Sequence, residues 1–412
     1  MRGFRPFGIV LIISLLGLVP SAVRADKQVK LMVQLADGVD AAYLVDSYAV
    51  EISDSIPALA LYYFQTDPSE NLFERLQADP QILQVQEDQP LETFEARPHY
   101  IDATGESTSE IFQARPHYID ATGDIVSQNY FEQWPAQKTR VSQAHQKSKG
   151  QGVKVAVIDT GIDLDHPALV GQLTPGYDFV DDDADPDDLP DGTDNDGDHR
   201  IDEAAGHGTH VAGIIALVAP SAQIMPVRVL NSDGVGTYFD VIGGIIYAVD
   251  HQADVINLSL SGTQDTPLLR AAIEYAWKHE VIVVAAAGAY QVEYPARYEH
   301  VLSVGATDMI DHVAEFSNFQ AGETSVFAPG VDVYSTYYNG GYAWWTGTSM
   351  ATPFVAGEAA LLRALGSCDT LCTINTIKGS VRPVVPSLDK RGRIDLYSAV
   401  QTTPRNLQSL SR

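Results

Sequence analysis

Three residues of this sequence have the types and settings that nucleophilic chemistry needs. Asp159 closes the apolar run of "VAVIDTGID", His207 stands between glycines in "GHGTHVAG", and Ser349 opens the apolar segment "GTSMATPFVAG". A serine hydroxyl is a weak nucleophile at neutral pH. It needs a base within hydrogen-bond reach, and an imidazole base needs an acceptor that fixes its tautomer. A serine at a helix start also lies beside backbone N–H groups and the positive end of the helix dipole, both suited to a developing oxyanion. Each residue has a plainer reading when taken alone: a strand-end carboxylate, a packed helix histidine, an N-cap serine. His207 and His210, three apart with carboxylates close by, also have a spacing that helical metal sites use.

The elements around these residues explain how they could meet. "VKVAVID", "ADVINLSL", "EVIVVAAAG" and "HVLSVGAT" are short continuous apolar runs that read as buried strands. Between them lie helical patterns, "HVAGIIALV", "FDVIGGIIYAVDH" and "PLLRAAIEYAWKH". Buried strands alternating with helices predict an α/β fold, a mainly parallel sheet with helices on both faces. Function in such a sheet sits at the carboxyl ends of the strands, where Asp159 is placed. Ahead of it, residues 26–93 read as a small α+β unit. "VKLMVQLA", "PALALYYFQ" and "ILQVQED" are its strands, and "SENLFERLQAD" is its helix, starting near Ser69 or Glu70. "ARPHYIDATG" at 96–105 returns at 114–123. Two copies build no solenoid, so residues 94–128 read as a protease-accessible linker.

Taken together, the three motifs resemble the subtilisin family (subtilases) of serine proteases. The order Asp, His, Ser is that family's, with intervals of 48 and 142 residues, and the resemblance spans about residues 129–400, leaving 401–412 as a tail. It implies a subtilisin-like fold in which Asp159 orients the imidazole, His207 is the general base and acid, and Ser349 is the nucleophile. The same resemblance implies substrate-binding segments. "SLSG" (Ser259, Leu260, Ser261, Gly262) and "AAAG" (Ala286, Ala287, Gly288) are similar to the two walls of the pocket for the residue before the scissile bond. "NSDGVG", with Asp233 and Gly234, is similar to the opposite substrate-pairing edge. A peptide would lie extended between strand edges. The family has glycine where Ser261 stands, so a narrower or more polar pocket is expected. His210 matches a structural histidine of the motif. The N-terminal unit resembles an inhibitory propeptide, and peptide or protein substrates and that propeptide are the expected partners.

One position departs from the family. An asparagine usually follows the glycine of "AAAG" and donates to the oxyanion; here Ala289 follows Gly288 and has no donor. In subtilisin itself, loss of that donor costs roughly 10²–10³ in kcat. The Ser349 backbone N–H would remain, Thr348 could assist, and Gln291 and Asn318 are candidate substitutes. Three expectations follow: a slow protease, a non-catalytic peptide-binding protein on the same fold, or an introduced substitution in an otherwise competent enzyme.

Between Tyr177 and Glu203 stand twelve Asp and one Glu against one Arg. Asp194, Asp196 and Asp198 alternate around Gly197, and Asp202 and Glu203 follow. Hard oxygen ligands in that pattern favour a structural Ca²⁺, although the twelfth-position Glu of an EF-hand is missing; a bare solvated loop is the alternative. The net charge of −28 excludes nucleic acid and anionic membrane as natural partners. Arg2 and Arg5 precede "GIVLIISLLGLV", and Val23 and Ala25 suit a signal-peptidase site, so residues 1–25 read as a signal peptide and the product as secreted or periplasmic. A retained anchor is the other reading. Cys368 and Cys372 could close a small disulfide or stay as thiols.

Overall fold

The computed structural model describes residues 29–66, 71–92, 130–288, 293–317, 324–366, 368–386, 388 and 391–402. The expected signal peptide, the duplicated linker, Ser69, Glu70, Ala289, Gln291 and Asn318 lie outside them.

The N-terminal unit folds as a four-stranded antiparallel sheet. Its strands are β1 (Val29–Leu35), β2 (Asp54–Ile56), β3 (Leu61–Thr66) and β4 (Ile82–Glu87), in the order β2-β3-β1-β4. Alternation along β1 decides its two faces. Leu31, Val33 and Leu35 pack with Leu44, Leu72 and Leu76 of the unit's own helices, whereas Met32 joins the core of the larger domain. The segment at 57–59 turns as a short 3₁₀ helix, so β3 begins only at Leu61. The helix starts at Leu72, with Asn71 before it. After β4 the chain makes one more strand, β5 (Pro90–Glu92).

The larger domain holds seven strands, all parallel to their neighbours. They are β6 (Lys154–Asp159), β7 (Tyr177–Asp178), β8 (Gln223–Arg228), β10 (Val255–Leu258), β11 (Ile282–Ala286), β12 (Val301–Thr307) and β13 (Val326–Pro329). The order is β13-β12-β11-β10-β6-β8-β7. Successive residues of β6 face opposite layers. Val155 and Val157 meet the helices His207–Val218 and Thr348–Arg363; Ala156 and Ile158 meet Tyr238–Asp250 and Pro267–Lys278. Apolar burial on both faces is why these strands read as unbroken hydrophobic runs. The short strand β9 (Val235–Thr237) stands outside the sheet and pairs antiparallel with β5, Leu91 opposite Gly236. A hairpin of β14 (Val333–Tyr337) and β15 (Gly341–Trp345) precedes the Ser349 helix.

The two units meet over the start of the Tyr238–Asp250 helix. Met32, Ile56, Leu61 and Leu91 are buried with Tyr238, Phe239 and Leu260. Tyr63 stacks on Phe239 at 4.5 Å between ring centroids, a geometry worth about 0.5–1.5 kcal/mol beyond its buried area. Asp88 accepts from the Phe239 N–H at 3.2 Å, at the helix N-terminus where backbone donors have no intrahelical partner.

Candidate active site

Asp159 ends β6 with no exposed surface. Its Oδ1 accepts from the Thr160 N–H at 2.8 Å and lies 2.6 Å from His207 Nδ1. His207 is the first residue of its helix. Gly206, just before it, has φ +88, and any Cβ there would strike the Tyr337 ring. Gly208, just after it, passes the Gly161 carbonyl so closely that a Cβ would lie 2.1 Å from that oxygen. The glycines of "GHGTH" are therefore space requirements, met so that the helix start can approach the end of β6. His210 sits one turn on. Its Nε2 is 3.1 Å from both the Val333 and Ala343 carbonyls, and burial drives its pKa down to about 3. A neutral imidazole bonded to β14 and β15 is a brace, and no group of three potential metal ligands among the described residues includes either histidine.

Ser349 is the second residue of the Thr348–Arg363 helix and is buried, like Thr348. Its hydroxyl donates to the Ser259 carbonyl at 3.1 Å, while the Ser259 hydroxyl donates to the Ser349 carbonyl at 2.8 Å. Asn257 Nδ2 in turn reaches the Ser259 hydroxyl at 3.0 Å. Ser259, expected as a pocket wall, thus also anchors the backbone of Ser349. Trp345, four residues before Ser349, lies against the His207 ring at 5.2 Å.

The expected pocket walls lie at the ends of neighbouring strands. Ala286 ends β11, Ala287 is tied to β12 through the Val304 carbonyl at 3.0 Å, and Gly288 turns with φ +77. Leu260 is buried against Leu91 and Tyr238. Gly262 pairs with Tyr294 through two backbone hydrogen bonds, and a Cβ on it would strike Leu91 and the Tyr238 hydroxyl. Ser261 donates its hydroxyl to Glu293, a buried carboxyl whose own N–H reaches the Ala287 carbonyl at 3.3 Å. Glu293 therefore bridges both walls. The sequence reading passed over it, because nothing in "QVEYP" marks which residue turns inward. Gly234 makes the turn beside β9 with φ +76. Asp233 behaves differently from its expected role. Its carboxylate accepts from the N–H groups of Asn195 and Asp202, so it ties the acidic loop to the substrate edge.

Within that loop, single oxygens of Asp194, Asp196 and Asp198 lie within 4.8 Å of one another. Asp202 and Glu203 are not in this group. The Asp202 carboxylate accepts from the N–H groups of Asp191 and Gly192 instead. Glu203 is partly buried. Its pKa is pushed up to about 7, by burial first and then by the charges of Asp198, Asp233 and Asp196. At the other end of the run, Arg228 takes up Asp178 and Asp181 at 2.6 Å each. Cys368 and Cys372 are joined in a disulfide.

A buried carboxylate fixing an imidazole, and a helix-start serine on the same sheet, make up the apparatus of a triad-type serine hydrolase. Comparison with known sequences identifies the kind. The model of the Subtilase family matches residues 150–378, and this chain belongs to that family. It is similar to the Thermophilic serine proteinase of Bacillus sp. (strain AK1), 41% identical over 288 residues that cover 65% of this chain and 67% of that protein. Thermitase of Thermoactinomyces vulgaris is 38% identical over 65% of this chain and 96% of its own length. The Major intracellular serine protease of Bacillus subtilis (strain 168) is 40% identical over 52% of this chain and 70% of its own length. The chain is accordingly a subtilisin-like serine endopeptidase. Asp159 engages Nδ1 of His207, the contact that in a serine-hydrolase triad fixes the tautomer of the imidazole.

Proposed function

We propose that this chain is an exported, self-processing precursor, with Asp159, His207 and Ser349 as its triad and residues 26–93 as its inhibitory propeptide. The observation that carries the reading is the pairing of β5 with β9. The expected substrate-pairing edge is covered by the chain's own N-terminal unit, as a strand-adding inhibitor would cover it. The register supports a particular maturation bond. Leu91 lies against Gly262, and Ser259, whose carbonyl accepts from Ser349, is three residues back along that wall. Three residues on from Leu91 in the sequence is Phe94, so Phe94–Glu95 is the bond we assign to self-cleavage.

Ca²⁺ at Asp194, Asp196 and Asp198, with Glu203 nearby, belongs to the same proposal. The charges of Asp198, Asp233 and Asp196 add to the rise at Glu203, and a hard divalent cation would remove that repulsion and brace the approach to His207. Export rests on the N-terminal sequence alone; among the described residues no helix is long and apolar enough to cross a membrane.

The test is fluorophosphonate labelling in calcium of wild type, Ser349→Ala and Ala289→Asn, with N-terminal sequencing of the products. Labelling of wild type that is lost in Ser349→Ala, with a mature N-terminus at Glu95, supports the whole reading. Labelling only in Ala289→Asn means the triad is sound and the oxyanion site is disabled. No labelling of any folded, propeptide-free form overturns activity and leaves the peptide-binding alternative.

A further inference from the structure

Asp188 stands in the acidic run between β7 and His207, yet it is only 1% exposed. Its two oxygens accept four hydrogen bonds. Oδ1 takes the Gly206 N–H at 3.0 Å and the Thr160 hydroxyl at 3.1 Å; Oδ2 takes the Thr209 N–H at 3.0 Å and the Thr209 hydroxyl at 2.6 Å. Every donor is one or two residues from a member of the catalytic pair. Thr160 follows Asp159, while Gly206 and Thr209 flank His207. The Thr160 hydroxyl also accepts from the Gly208 N–H at 2.9 Å. A closed ring results, from Asp188 to Thr160, across to Gly208 and His207, and through His207 Nδ1 back to Asp159.

An ordinary helix cap needs only the Gly206 and Thr209 contacts, and those could be made at the surface. The link to Thr160 is what a cap does not require. It joins the helix start to the end of β6, so the spacing of those two elements no longer depends on the Asp159–His207 contact alone. The four donors also hold a charged form that burial would otherwise neutralise.

We infer that Asp188 is a positioning residue of the catalytic pair, which locks the strand end carrying Asp159 and the helix start carrying His207 into one register. The inference rests on the reading of that pair as catalytic. Asparagine cannot replace it fully. Its oxygen can accept on one side, but its NH₂ then faces a backbone N–H on the other, and a backbone N–H cannot turn to accept. A misplacement of about 1 Å at a reacting group costs on the order of a hundredfold in rate.

The experiment compares processed wild type, Asp188→Asn and Thr160→Val. Active sites are titrated with the fluorophosphonate, and kcat, KM and the pH profile are measured on a peptide substrate. The expected result for Asp188→Asn is a fall in kcat per titrated site of about ten- to a hundredfold, with KM changed less than about threefold. The acid limb should move to lower pH, because loss of a nearby anion disfavours the imidazolium. Thr160→Val keeps the helix cap and cuts only the cross-link, so it answers the question if Asp188→Asn does not fold. Its kcat should fall about five- to tenfold without loss of titratable sites. Wild-type kcat per site and an unmoved acid limb in whichever variant folds would overturn the inference, even if thermal stability dropped. Absence of labelling in wild type is a separate outcome, and overturns the protease reading beneath it.

Discussion

Two carboxyl groups of the larger domain are closed off from water and have opposite surroundings. Asp188, in the loop before His207, accepts four hydrogen bonds; Glu358, ten residues into the helix that begins at Thr348, has no partner for either oxygen among the described residues. Burial raises both pKa values. At Asp188 the donors hold the value to about 6, so the group is an anion at neutral pH. At Glu358 burial pushes it well above the ordinary carboxyl value, Asp395 adds to the rise, and Arg393 opposes it. Depth is the same; the fixed donors limit how far burial raises the value. One region uses a buried acid to join elements, whereas the other carries a polar group that its packing does not satisfy.

Substitutions should separate the two regions in sign. Asp188→Ala leaves the Gly206 and Thr209 N–H groups buried without acceptors, at about 1–3 kcal/mol each. A loss of several kcal/mol in denaturant unfolding is expected; a loss below about 1 kcal/mol would mean water replaces the carboxylate and the contrast fails. Glu358→Leu, of similar volume and with nothing to satisfy, should gain about 1–2 kcal/mol in the same assay. Destabilisation there would point to an unseen partner for Glu358. The pH dependence sharpens this. Glu358 has a folded pKa above its unfolded one, so its contribution is present at low pH and lost as pH rises through the raised value. The fall in stability as pH rises above the ordinary carboxyl range should therefore be shallower in Glu358→Leu, as denaturant unfolding from acid to alkaline pH would reveal.

A third acid, only half-buried, gives the smallest effect and an intermediate case. Asp240, at the contact with the N-terminal unit, has the Thr237 hydroxyl at 2.7 Å and a pKa pushed up to about 7, by burial first. Asp88 and Asp54 of the N-terminal unit raise it further and Lys30 opposes them. Docking of that unit should weaken as pH rises through about 7, by at most about tenfold per pH unit for one proton. Limited proteolysis of the Ser349→Ala precursor at pH values either side of that point should release the unit faster on the alkaline side, and Asp240→Asn should reduce the difference.

These acids also mark where sequence reading stopped. Four of the sheet's seven strands, β6, β10, β11 and β12, were legible because burial on two faces leaves unbroken apolar runs, whereas β7, β8 and β13 were not read; the Asp159, His207 and Ser349 motifs were legible through their family resemblance. Asp188 was not, since twelve aspartates in one stretch look alike until the chain folds one of them inward. Asp233 was read as part of the substrate edge, but its side chain turns back to the loop at Asn195 and Asp202. The bridge from Ser261 to Glu293 joins residues 32 apart, and no local pattern encodes it. Of the five acids expected around a metal, only the three at alternate positions converge, because alternation in a tight turn is itself a geometric statement.

The pairing of Pro90–Glu92 with Val235–Thr237 has a consequence for how such a protein can change. On the proposed reading, the groove's first ligand would be written into its own gene. A substitution along Val235–Thr237 or around Gly262 that altered which peptides fit would loosen or tighten the self-contact at Leu91 in the same stroke. If the N-terminal unit is the propeptide proposed above, variation in the cleft would be filtered through the chain's own maturation before any outside substrate is met. Redesign of its selectivity would have to rewrite both strands together.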